Sequence, residues 1–145
     1  MTKIFDIYKC NTCGNIVEVV HKGNGTLTCC GAQMELLKHN TEESTSVEKH
    51  APVVTRKSTG YLIKVGSTAH PMIKDHMIEW IEVITDENKI YKKYFKAGAE
   101  AQLLIQTNSD NFKVCCYCNL HGLWSTTFNV RDITKSDNSD NNSEI

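Results

Sequence analysis

The 145-residue sequence contains two prolines, no long apolar run and no surplus of either charge, with 16 lysines and arginines against 17 aspartates and glutamates. Each shortage excludes a class of function. A formal net charge of -1 leaves no basic excess for holding nucleic acid by counterion release. No apolar stretch approaches the roughly 20 residues that span a bilayer, so no membrane partner is expected. The opening residues, MTKIFDIYKC, lack an apolar signal core, and the expected location is the cytoplasm. A helical 3.6-residue period of useful length is missing, as is any internal repeat. The length suits one ordinary domain, or a small one with a medium one.

What the sequence does hold is seven cysteines and six histidines. An odd cysteine count in a reducing compartment argues against a disulfide framework, and thiols with imidazoles at this density point to metal. Residues 1–38 carry Cys10, Cys13, Cys29 and Cys30, with turn signals at Gly14, Asn24-Gly25 and Gly31. So short a segment cannot build a self-sufficient apolar core and needs a staple. A polar stretch from Asn40 to Ser46 reads as a linker, and the tail 134–145 as polar and disordered. Between them, residues 39–133 form the second expected domain. Short runs rich in β-branched and aromatic residues fall at 60–65, 76–84, 90–95, 101–107, 112–117 and 124–130. The expected fold is mainly β, with a small metal-stapled domain followed by an immunoglobulin-like β-sandwich.

Two constellations carry chemistry. Cys10-x-x-Cys13 with Cys29-Cys30 supplies four sulfurs from two short segments. Soft thiolates in tetrahedral array select zinc or iron. The shared peptide of Cys29 and Cys30 limits how far their sulfurs spread, so the site is expected to depart from ideal angles. A ribbon whose zinc only braces the fold is the plainest reading of this group. The second constellation comprises His50, His70, His76, Cys118 and His121. Cys118-Asn119-Leu120-His121 has the spacing of a chelating turn, and residues 71–75 form a loop short enough for His70 and His76 to converge. His76 is then expected to open an alternating strand, sharing a face with Ile78 and Trp80. Taken singly, each histidine reads more simply as surface or core; His21 and His39 keep the solvated reading. Five ligands exceed the four of a closed zinc site. Four imidazoles and a thiolate fit a non-heme iron with one open position, which implies chemistry on a small molecule.

Several motifs together carry a resemblance. Glu48-Lys49-His50, Gly66 to Met72, His76 to Ile81 and Cys118 to Trp124 resemble, in order, the iron-site motifs of desulfoferrodoxin, the two-iron form of superoxide reductase. The first cysteine pattern is similar to that family's desulforedoxin-like N-terminal domain, related to rubredoxin. The resemblance covers the chain up to the polar tail. It implies two iron ions per chain. Cys10, Cys13, Cys29 and Cys30 would hold one; His50, His70, His76 and His121 would ring the other, with Cys118 as the axial thiolate. It further implies one-electron reduction of superoxide to hydrogen peroxide, re-reduction by rubredoxin or a similar donor, and a homodimer. Lys49 would attract the anion and hold a proton-donating water, and Glu48 resembles the carboxylate that caps the open position. Either residue alone reads as an ordinary solvated side chain.

Cys115 and Cys116 depart from the family's pattern. Strand alternation puts Cys116 on the face of Cys118 and Cys115 on the other, and small apolar filling is the expected role of both. Two rival functions remain at this level. One is an electron carrier worked by the four-thiolate ion, its β domain only docking partners; the other is a zinc-bound interaction module.

Overall fold

The computed structural model describes residues 1–41 and 50–133, which form two compact units, one ending at Lys38 and the other beginning at His39. The described residues are mainly β, and none of their helices is long and apolar enough to cross a membrane.

In the first unit, β1 (Ile7–Lys9) is the centre of a three-stranded sheet between β2 (Ile16–Glu18) and β5 (Glu35–Leu36). A separate hairpin joins β3 (Thr28–Cys29) to β4 (Ala32–Gln33). Its buried apolar side chains are Ile7, Cys10, Val19 and Met34. That core is too small to order the segment unaided, which fits the staple expected from the sequence.

The second unit is a β-sandwich. One sheet has the order β10 (Ile90–Tyr94), β9 (Ile78–Thr85), β12 (Asn111–Cys118), β13 (Gly122–Asn129) and β6 (His39–Asn40). The other has β11 (Gln102–Ile105), β8 (Gly60–Val65) and β7 (Pro52–Lys57). Counting the longer strands from β7, the sheets read 1-2-5 and 4-3-6-7, an immunoglobulin-like arrangement. Val54, Ile63, Val65 and Ile105 from one sheet meet Ile81, Val83, Phe112, Val114, Cys116 and Trp124 from the other. A fully buried isoleucine such as Ile63 or Ile81 contributes about 1.5–3 kcal/mol.

Four local expectations change. Residues 52–57 form a strand that the sequence does not flag, because Arg56 and Lys57 interrupt its apolar pattern. His39 and Asn40, expected to be solvated linker, are half-buried and pair in parallel with Leu123 and Trp124. His76 does not open a strand. It closes an isolated bridge with Ile73, and β9 begins at Ile78. Nor do Ile78 and Trp80 share a face. The β9–β12 register shifts between Tyr117, which faces Trp80, and Cys118, which faces Ile78. The extra residue on β9 turns Ile78 into the core, while Trp80 stacks on Tyr117 at 4.7 Å.

Candidate metal centres

Two tight turns build the thiolate group. After β1, the N–H of Gly14 donates to the Cys10 carbonyl (2.9 Å), Gly14 has a φ of 85°, and the N–H of Cys13 donates to Cys10 Sγ (3.5 Å). On the other side, Cys30 and Gly31 are the two central residues of the β3–β4 hairpin, with φ of 54° and 75°. Positive φ at both positions is the type I′ pattern, uncommon for a residue with a Cβ. This turn is how adjacent cysteines can both serve. Two sulfurs about 2.3 Å from one ion, at the tetrahedral angle, stand about 3.8 Å apart. The Cys13–Cys29 and Cys29–Cys30 sulfurs are 3.6 and 3.9 Å apart. Cys10 is buried while Cys13 and Cys30 are exposed. Backbone N–H groups of Cys13 and Thr12 lower the Cys10 thiol to about 6, whereas hydrogen bonds with Cys10 and Cys13 raise Cys29 to about 12. Filling such a group with a metal ion releases protons.

The second group gathers His50, His70, His76, Cys118 and His121, with all donor atoms within 4.8 Å of one another. The rings form a closed circuit, His50–His70–His76–His121, with successive centroids 4.6, 4.8, 5.0 and 4.7 Å apart and neighbouring planes inclined by 68–81°. His50 is therefore across from His76, and His70 across from His121. Nitrogens about 2.1 Å from a shared ion, at right angles, lie about 3.0 Å apart. His50 Nε2 is 3.1 Å from His70 Nε2 and 3.0 Å from His121 Nδ1. Cys118 Sγ lies 3.7 Å from His121 Nδ1, the nearer ring nitrogen across so short a turn. Both donor sets thus fit a metal ion in type and spacing. His50, His70 and Cys118 are buried, His76 is half-buried and His121 is exposed, so the circuit opens to solvent along one edge.

Surrounding groups aim these ligands. His70 Nδ1 lies 2.6 Å from the Pro71 carbonyl, which can only accept, so Nδ1 carries the proton and Nε2 keeps its lone pair for the centre. Trp124, which the sequence does not mark as functional, stacks on His50 at 4.8 Å and 13°. Its indole N–H donates to the His121 carbonyl (3.2 Å), which also accepts from Asn40 Nδ2 (3.1 Å). Cys116 fills the core, as expected, and also donates its thiol to the His50 carbonyl (3.3 Å). Burial pushes that thiol well above its ordinary value and keeps it a donor. Cys115 lies on the other face, opposite Glu82 and Ser125. Glu48 and Lys49 fall outside the described residues.

Burial lowers His70 from 6.5 to about 4. The unfolded chain therefore binds this proton at a higher pH than the folded chain. Stability of the metal-free protein should be complete above pH 6.5 and fall as pH drops towards about 4, where the unfolded chain has taken up a proton that folded His70 still refuses. Denaturant midpoints of wild type and His70→Gln across that range test the effect. Identical slopes for the two proteins would show that His70 is not responsible.

Residues 42–127 match the family described as desulfoferrodoxin, and residues 2–37 match the desulfoferrodoxin N-terminal domain. The desulfoferrodoxin homolog of Archaeoglobus fulgidus is 47% identical over 126 residues, covering 87% of this chain and 99% of the relative. The chain belongs to the desulfoferrodoxin family. Desulfoferrodoxin of Nitratidesulfovibrio vulgaris is 46% identical, covering 86% of this chain and 97% of its own. Among solved structures, the superoxide reductase of Treponema pallidum shares the fold, with a TM-score of 0.65 at 23% identity, covering 87% of this chain and 99% of its own. As in its desulfoferrodoxin family, the chain carries two iron sites, matching the four-cysteine group and the four-histidine, one-cysteine group.

Proposed function

We propose that this desulfoferrodoxin is an enzyme that reduces superoxide to hydrogen peroxide at the histidine–cysteine centre. The observation that carries the reading is the closed circuit of four imidazoles around one buried thiolate, open to solvent along one edge. Iron, when bound, supplies the single electron of the reaction; the protons come from water and side chains. Cys10, Cys13, Cys29 and Cys30 hold the first ion. His50, His70, His76, Cys118 and His121 hold the second. The working division of the chain is 1–38 for the first centre, 39–133 for the second and 134–145 as a tail. Rubredoxin or a similar one-electron carrier restores the reduced protein, which works as a cytoplasmic homodimer.

The chain's own residues have three tasks. The four neutral imidazoles bind the ion without adding charge, and Cys118 contributes the negative charge of the donor set. Lys49 attracts the anionic substrate, since the molecule's net charge of -1 cannot. Its ammonium also orders a water that delivers a proton to the product. Glu48 would cap the open position when the iron there is oxidised.

Pulsed superoxide mixed with the reduced protein tests this function. Peroxide should form without oxygen, whereas oxygen released alongside it would mark a dismutase and overturn the reading. In the same experiment Lys49→Ile should slow capture by about tenfold at low ionic strength and flatten the salt dependence. An unchanged rate would remove Lys49 from the mechanism.

A further inference from the structure

The loop carrying His76 is tied to the Cys118–His121 turn through one residue, Asn119, by its side chain and its main-chain N–H. The N–H of Ile73 donates to the His76 carbonyl (3.1 Å), and the N–H of His76 to the Ile73 carbonyl (3.0 Å). Those bonds close the loop on itself, in a bridge outside any strand. The far end is held at Met72, whose carbonyl accepts from the N–H of Gly98 (2.7 Å).

Asn119 makes the tie at the ligand end. Its Nδ2 donates to the Asp75 carbonyl (3.1 Å), and its Oδ1 accepts from the N–H of Met77 (3.0 Å). Its own N–H donates to the Met77 carbonyl (3.2 Å). These bonds straddle His76, reaching one residue on each side of it. Asn119 itself follows Cys118 directly and precedes His121 by two positions. The β9–β12 register breaks at this place, between Tyr117 and Cys118. A primary amide presents one acceptor and a donor group in a plane, as a peptide does. The side chain of Asn119 thus adds two peptide-like bonds beside the one main-chain bond, Asn119 N–H to the Met77 carbonyl, that joins the two segments past the shift. Alanine supplies neither group, and aspartate keeps the acceptor for Met77 but lacks the donor for Asp75.

We propose that Asn119 is a positioning residue for the second centre, fixing the His76 ring relative to Cys118 and His121. The inference rests on the reading of that group as a metal centre and extends it. Asn119 is not one of the grouped donors, and both ends of its amide are taken by Met77 and Asp75. Its effect is on ligand geometry, and the thiolate centre in the other unit serves as an internal control.

The test uses full-length, iron-loaded wild type, Asn119→Ala and Asn119→Asp. Three readouts are compared: loss of each ion to a chelator, the thiolate absorption and electron paramagnetic resonance of the second centre, and Tm. Asn119→Ala should lose the second ion about 10–100-fold faster. It should also show an altered second-centre spectrum beside an unchanged first-centre spectrum. Asn119→Asp should be intermediate, and it decides the matter if the alanine variant does not fold. A wild-type spectrum and loss rate in the variants would overturn the proposal, whatever their Tm. Equal acceleration at both centres would overturn it too, because that signals general destabilisation. A wild-type protein that binds no second ion would instead overturn the metal-centre reading itself.

Discussion

Replacing Cys118 by serine should reduce superoxide turnover by at least about 100-fold while leaving the four-thiolate centre intact. Cys118 is fully buried at the end of β12, opposite Ile78 and Gly122, with its sulfur 3.7 Å from His121 Nδ1. It is the one donor of its group that would bind a metal ion as an anion, the others being imidazoles. A serine hydroxyl is close in shape but does not ionise near neutral pH, so the donor set would gain one unit of positive charge. Placing a hydroxyl among apolar neighbours also costs about 1–3 kcal/mol. The thiolate-dependent absorption of the second centre should vanish while that of the first remains. Cys115 lies on the opposite face of the same strand, so Cys115→Ala is the matched control, expected to keep both spectra. A Cys118→Ser protein that turns over superoxide near the wild-type rate would remove the thiolate from the site.

The second large effect belongs to Trp124. Its indole is 2% exposed, lies parallel to His50 and donates to the His121 carbonyl, so one core side chain supports two ligands. Trp124→Ala should cost about 3–5 kcal/mol, from lost burial and the cavity left behind. Bound iron at the second centre should fall with it. Trp124→Phe preserves a ring over His50 and loses only the N–H, at about 1 kcal/mol, with Asn40 still serving the His121 carbonyl. Denaturant midpoints and iron content separate the cases. If phenylalanine cost as much as alanine, the hydrogen bond rather than the stacked ring would be the main support.

The ligands themselves are legible because metal chelation demands short, countable spacings. Cys10-x-x-Cys13 and Cys118-x-x-His121 are such spacings, and Gly14 and Gly31 mark the turns that realise them. The strand runs at 60–65 and 90–95 are likewise visible in β-branched and aromatic residues, close to β8 and β10. What stays hidden depends on pairing between distant segments. Asn119 looks like spacing between two ligands until Met77, 42 residues away, is seen bonded to its amide. The register shift beside Cys118 involves no glycine or proline on either strand, so nothing in the composition warns that Ile78 and Trp80 part company. Asn40 belongs to a two-residue strand, too short to show any period.

The placement of the ligands along the chain also orders their assembly. Every sulfur of the first centre lies between Cys10 and Cys30, within a unit that ends at Lys38. The second circuit begins at His50 and closes only with His121, and its clamp on His50 needs Trp124 beyond that. As the chain emerges from the ribosome, the first ion has its complete set of donors while most of the sandwich is still unmade. The second site must wait for the last strands and for pairings of long sequence separation, which are slow to form. Iron scarcity during synthesis would therefore fall unevenly on the two centres, with the histidine–cysteine one the later to fill.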